Sequence, residues 1–153
     1  MGVIRVAQTF PGTVSEAERC WYDTGRWSRW VDGLDQVLAV DSGWPATGAA
    51  VTWESGPAGR GRVTERVLAH EPLRGQTLAV TDASIEAEQS VTFTPDDGTV
   101  EVALALEYHF RKRSLTLRII DPLFIRRAMV TSLGATLARF GAELETSRTG
   151  RSA

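Results

Sequence analysis

Residues 95–110 read Pro95-Asp96-Asp97-Gly98-Thr99-Val100-Glu101-Val102-Ala103-Leu104-Ala105-Leu106-Glu107-Tyr108-His109-Phe110, and this stretch decides the fold class. Val100, Val102, Leu104, Leu106, Tyr108 and Phe110 alternate with Glu101, Ala103, Ala105, Glu107 and His109. A period of two held over six positions is the pattern of a strand with one buried face. Asp97-Gly98 supplies the positive φ that a tight hairpin needs, so Ile85–Thr94 is the expected partner strand. Downstream, Asp121 is a good N-cap and Pro122 sits at the first helical position, where its missing N–H costs nothing. Ile125, Met129, Leu133, Leu137, Phe140 and Leu144 then recur at spacings of 4, 4, 4, 3 and 4. That is one apolar stripe of a long helix, which needs a sheet to cover it.

Working outward toward the N-terminus, Val3–Phe10 reads as a first strand, rich in β-branched residues and closed by Pro11-Gly12. Ser15-Glu16-Ala17-Glu18 has capping-box spacing and starts a short helix running to about Trp21. Asp23-Thr24-Gly25 breaks it, and Arg26-Trp27-Ser28-Arg29-Trp30 forms a second short helical turn. Further strands are expected at Val37–Asp41, Ala49–Glu54, Gly61–Glu71, Gln76–Thr81 and Thr99–Lys112, separated by Gly-, Pro- and Asp-rich turns. One strand, two short helices, six strands and a long helix make an α+β two-layer fold. A single domain is expected over residues 2–146. The small polar residues 147–153 are expected to form a flexible tail.

The chain has 153 residues, room for one domain and hardly for two, with 42 % apolar and 24 % charged residues. Its formal charge of −2 demands no basic face, so nucleic acid is not an expected partner. No apolar run approaches the ~18 residues of a membrane span. Met1-Gly2-Val3-Ile4-Arg5 lacks the layout of a secretory leader, and Cys20 is the single cysteine, so a cytoplasmic location is expected.

The block Arg26-Trp27-Ser28-Arg29-Trp30-Val31 and the strand Gly61-Arg62-Val63-Thr64-Glu65-Arg66-Val67, which precedes His70-Glu71-Pro72, resemble the START-like superfamily, as does the closing amphipathic helix. The likeness is to its polyketide cyclase/dehydrase-type bacterial branch and extends over nearly the whole chain. It implies a helix-grip fold, in which a curved antiparallel sheet of about seven strands wraps around the C-terminal helix and leaves an elongated apolar cavity. It also implies binding of a small hydrophobic or aromatic molecule, lipid- or polyketide-like, by a monomer or homodimer.

Little else in the sequence carries chemistry. There are two histidines and no HxxxH, CxxC or HExxH spacing, so no metal or other cofactor is expected. GxSxG is absent. Gly56-Pro57-Ala58-Gly59-Arg60-Gly61 lacks the Lys-Ser/Thr and the following helix of a phosphate loop and reads as a hairpin tip, or as the lip of a cavity. Arg111-Lys112-Arg113 reads as a solvated strand end, and Cys20 as a buried thiol.

The sharper features are polar residues on apolar faces. Glu65 lies between Val63 and Val67 at period two, Gln89 between Ala87 and Val91, and Tyr108 between Leu106 and Phe110. If those faces point inward, Glu65 is a carboxylate in apolar surroundings with a raised pKa, suited either to orienting a ligand or to moving a proton. In the ligand-binding reading, Trp30, Trp53, Tyr108, Phe110, Met129 and Leu133 shape the cavity wall, while Glu65 and Gln89 orient a polar end. The alternatives are a polyketide cyclase/aromatase or dehydratase with Glu65 and Tyr108 as acid and base, and a co-chaperone-like module with a filled interior. Gly134 and Gly141, seven apart on the last helix, either admit a neighbouring strand or leave room for a ligand.

Overall fold

A computed structural model describes residues 2–57, 59–111 and 122–152. Strand β1 (Gly2–Pro11) is followed by helix α1 (Val14–Tyr22), a 3-10 turn (Thr24–Arg26) and the one-turn helix α2 (Trp27–Trp30). Six strands come next: β2 (Leu34–Val40), β3 (Ala50–Ser55), β4 (Arg62–Glu71), β5 (Gly75–Thr81), β6 (Ile85–Asp96) and β7 (Thr99–Phe110). Helix α3 (Pro122–Ser152) closes the chain. The expected N-cap Asp121 lies outside the described residues, as do Lys112 and Arg113.

The strands form one curved antiparallel sheet of seven in the order β1-β7-β6-β5-β4-β3-β2. Each of β2 to β7 hairpins onto the next, and β1 returns to pair with β7 over its full length, from Gly2 opposite Tyr108 to Pro11 opposite Thr99. The β6–β7 hairpin turns through Asp97 (φ 49°) and Gly98 (φ 84°), both left-handed, as a two-residue primed turn requires. In β7, Val100, Val102, Leu104, Leu106 and Tyr108 are all buried. The sheet lays this face against α3, giving the helix-grip architecture.

One expectation needs correction, and one element runs further than expected. The capping box of α1 is formed by Thr13 and Glu16, one S/T-x-x-E frame upstream of Ser15 and Glu18. Thr13 is extended (φ −103°, ψ 160°), and its Oγ1 accepts from Glu16 N at 3.1 Å while Glu16 Oε1 accepts from Thr13 N at 3.0 Å. Ser15 already lies inside the helix, where it has no free cap position to fill. The expected tail is also helical, since α3 continues to Ser152. Arg148 holds this last stretch by pairing with Glu16 (3.5 Å) and Glu145 (3.3 Å), and Thr149 bonds back to the Glu145 carbonyl.

The core is asymmetric along α3. Leu137, Phe140 and Leu144 are fully buried, whereas Leu123, Phe124 and Val130 are exposed. Phe140 stacks edge-on against Phe10, Trp21 and Trp30 at centroid distances of 5.7, 5.0 and 5.1 Å, a geometry that adds to simple burial. Gly141 makes this close approach possible, because a Cβ there would lie 2.4 Å from the Phe10 ring. Gly134, one heptad earlier, would place a Cβ in open space. The two glycines therefore take the two different roles that the sequence left open. Gly141→Ala is expected to destabilise the fold by about 1–3 kcal/mol through overpacking. Gly134→Ala is expected to be neutral or to stabilise by up to about 1 kcal/mol through helix propensity. Urea unfolding of the two variants checks the contrast.

Candidate functional site

The C-terminal half of α3 is buried in the core, and its first half meets the sheet along β1 and β7 but leaves the inner strands uncovered. Between that first half and the inner strands lies a cavity of about 350 Å³. Its walls come from every layer of the fold: Trp21 on α1, Trp27 and Trp30 on α2, Trp53 on β3, the inner faces of β4 to β7, and α3 from Phe124 to Thr136. The lining is mostly apolar, and its polar side chains are Asp32, Arg60, Glu65, Gln89, Ser132 and Thr136.

Glu65 faces inward, as the Val63-Glu65-Val67 alternation anticipates. It is 8 % exposed, and both flanking valines are buried. The register sets it beside Val51 on β3 and Val80 on β5. The diagonal neighbour Trp53 donates its indole N–H to Glu65 Oε2 at 3.2 Å. That is the only hydrogen bond to the carboxylate among the described residues. Burial pushes the Glu65 pKa up to about 7, against the smaller opposing pulls of the Trp53 hydrogen bond and the Arg60 charge.

Gln89 also reaches the cavity, two strands from Glu65, and its amide makes no hydrogen bond among the described residues. Trp30 is 1 % exposed, and its buried indole N–H has no partner among the described residues. Two other cavity indoles are satisfied within the protein: Trp53 by Glu65 and Trp27 by the Trp21 carbonyl at 2.8 Å. Met129 and Leu133 line the α3 side.

Among the described residues that line the cavity, Tyr108 and Phe110 do not appear, so the expectation that they shape its wall is corrected. Tyr108 sits opposite Gly2, and its ring fills the space a side chain at Gly2 would need, 2.2 Å from a Cβ built there. It packs with Ile4 and Leu106, Phe110 leans on it at 5.7 Å, and Met129 and Leu133 pack against the same cluster. Period two fixes which face a side chain leaves from. It does not fix which way a ring then turns along the sheet.

Four polar residues and two tryptophans of the lining escape the strand-based reading. Ser132 and Thr136 are spaced i, i+4 on the apolar stripe of α3, the same kind of interruption that marks Glu65, and could have been found that way. Both hold the loop after α2: Ser132 Oγ donates to Asp32 Oδ2 at 2.6 Å, and Asp32 N donates to Thr136 Oγ1 at 3.0 Å. Arg139 adds an ion pair to Asp32 at 3.1 Å. Arg60 projects from the glycine-rich β3–β4 tip and meets Asp82 at 2.6 Å. Asp82, whose side chain is 2 % exposed, also accepts from Ser84 N and Ile85 N at 2.7 and 2.9 Å. The tip is thus fastened to the β5–β6 corner.

Cys20 is buried, and burial pushes its thiol up to about 11, the direction of an unreactive thiol. Arg111 pairs with Glu86 at 3.5 Å on the surface. Among the described residues, no three His, Cys, Asp or Glu side chains come together as a metal site would require. No helix among them is long and apolar enough to cross a membrane.

The sequence matches, over residues 1–145, the family described as polyketide cyclase / dehydrase and lipid transport. The chain belongs to that family. No curated protein matches it, but solved structures carry the same fold at low identity. A conserved protein from Geobacillus kaustophilus superposes with a TM-score of 0.77 at 13 % identity, covering 95 % of this chain and 97 % of that one. A START superfamily protein from Mycobacterium smegmatis gives 0.73 at 10 % identity, with coverages of 94 % and 97 %. A norcoclaurine synthase point mutant from Thalictrum flavum, in complex with a transition-state analogue, gives 0.69 at 9 % identity and covers 96 % of each chain. The polyketide cyclase/dehydrase-type resemblance read from the sequence agrees with this family, and the solved structures share the fold.

Glu65 also makes stability depend on pH. Its folded pKa, about 7, lies above the ordinary carboxylate value of 4.5. The stabilisation from its neutral form is complete below pH 4.5 and is lost as pH rises toward 7. The shift corresponds to about 3 kcal/mol. Glu65→Gln removes the titration, so the variant is expected to gain stability over wild type progressively between about pH 5 and pH 8. Urea unfolding at several pH values reads this gain, and a constant difference between the two proteins contradicts it.

Proposed function

We propose that this family member binds a small, predominantly apolar molecule that carries a polar group, between the sheet and the first half of α3. The observation that carries the reading is the cavity itself. At about 350 Å³ it falls within the ~300–1,000 Å³ span of small-molecule sites, in a fold whose interior would otherwise be close-packed. Mainly aromatic and aliphatic walls favour an apolar body. Glu65 and Gln89 orient the polar end, with Trp30 and Trp53 beside them. The transition-state analogue held by the norcoclaurine synthase relative supports the same use of the fold here. A co-chaperone-like role predicts a filled interior and gains no support from this one. The lone buried thiol of Cys20 fits the reducing cytoplasm.

A second reading is favoured by one observation. Glu65 has a pKa of about 7 in an apolar cavity, which suits a general acid or base near neutral pH. A cyclase, aromatase or dehydratase acting on a polyketide-like substrate would use it so. Turnover of such a substrate would then follow a single ionisation near pH 7.

The binding reading is tested with N-phenyl-1-naphthylamine, a neutral dye that brightens in apolar surroundings. It is expected to bind saturably, at one site per chain. Met129→Trp, which fills the α3 side of the cavity, is expected to weaken it by about tenfold or more. No saturable binding, or equal binding by the Met129→Trp protein, contradicts the proposal.

A further inference from the structure

We propose that the polar end of the ligand is a protonated amine, seated on the Glu65 carboxylate among the tryptophans of the cavity. The inference rests on the binding role above and deepens it by naming the ligand's charge.

It comes from the balance of charge around the cavity. Three charged side chains line it: Asp32, Arg60 and Glu65. Arg60 is engaged by Asp82 at 2.6 Å, and Asp32 by Arg139 at 3.1 Å. Among the described residues Glu65 has no cation within ion-pair distance, the Arg60 charge acting on it only from farther off, and its one hydrogen bond comes from the neutral indole of Trp53. Its surroundings supply no other. Val51 and Val80 flank it on the neighbouring strands, Gln89 reaches in from β6, and α3 presents Met129, Ser132, Leu133 and Thr136. Neither His70 nor His109 lines the cavity. Among the described residues, the one uncompensated charge of the site is therefore a carboxylate.

A carboxylate so placed is costly unless it takes a proton or gains a cation. A ligand ammonium supplies the cation. Trp21, Trp27, Trp30 and Trp53 line the same cavity, and aromatic surroundings suit a cation better than an anion. A neutral ligand would leave both the bare carboxylate and the aromatic surround without a complement.

The test compares three probes built on one ring system: 2-(1-naphthyl)ethylamine, 2-(1-naphthyl)ethanol and 1-naphthaleneacetate. Each is titrated calorimetrically into the full-length protein at pH 8. The amine is expected to bind about tenfold or more tighter than the alcohol, and the acetate most weakly. In Glu65→Gln the ratio of amine to alcohol affinity is expected to fall to about one. A second arm uses wild-type protein alone and does not depend on the variant folding. An alkylamine, with a pKa near ~10, keeps its proton from pH 8 to pH 6. Glu65 takes one up across about pH 7, so the amine should weaken about tenfold over that interval. Equal binding of amine and alcohol, or amine binding that strengthens on acidification, overturns the amine assignment. So does failure of the amine where the neutral dye binds, and in each of these cases the cavity reading stands. Failure of all three probes and of the dye overturns both.

Discussion

The contact on which the rest of the structure depends is the seat of Phe140 and Gly141 on Phe10, with Trp21 and Trp30 closing around the same ring. It lies near the C-terminal end of α3 and has no equivalent near the start of the helix, where Leu123 and Phe124 are exposed. Toward its other end the helix meets the sheet along β1 and β7, where Met129 and Leu133 pack with Ile4, Leu106 and Tyr108, and the inner strands are left uncovered. The cavity is the volume over those inner strands. Its walls include Leu78, Val80 and Ala87 from the sheet, and Met129 and Leu133 from α3.

Polar ties then fix the angle that packing alone would leave soft. Asp32 gathers Ser132, Thr136 and Arg139 onto the loop after α2. Glu143 draws in Arg26 and Arg29 at 3.5 and 3.2 Å, and Arg126 donates to the Val3 carbonyl at 2.7 Å. The last of these ties the first half of α3 to the β1 edge of the sheet. The interior stays open, and the few charges facing it are nearly all matched. Glu65 is the exception, which makes it the residue where ligand chemistry and protein stability meet.

Much of this was legible in the sequence, for reasons that differ by element. The strands were readable because alternation in β7 and β4 is a direct image of one buried face, and Asp97-Gly98 is a turn with only one backbone solution. Glu65 and Gln89 were readable by the same logic, as polar residues breaking an apolar period. Tyr108 was misplaced because its ring direction is set by Gly2, a residue over a hundred positions away in sequence that only the sheet brings opposite. The cap at Thr13 was missed because two S/T-x-x-E frames overlap, and only the backbone angle at Thr13 chooses between them. Arg60 and Asp82 were not legible as a pair, since nothing in either loop announces the other.

The most direct test of the account is a crystal structure of the ligand-free protein under xenon pressure, because xenon enters apolar cavities and not filled cores. Xenon density among Trp30, Trp53 and Leu133, with the backbone of α3 unmoved, is the result the account predicts. An interior with no xenon, and with the first half of α3 packed down onto β5 and β6, would contradict it.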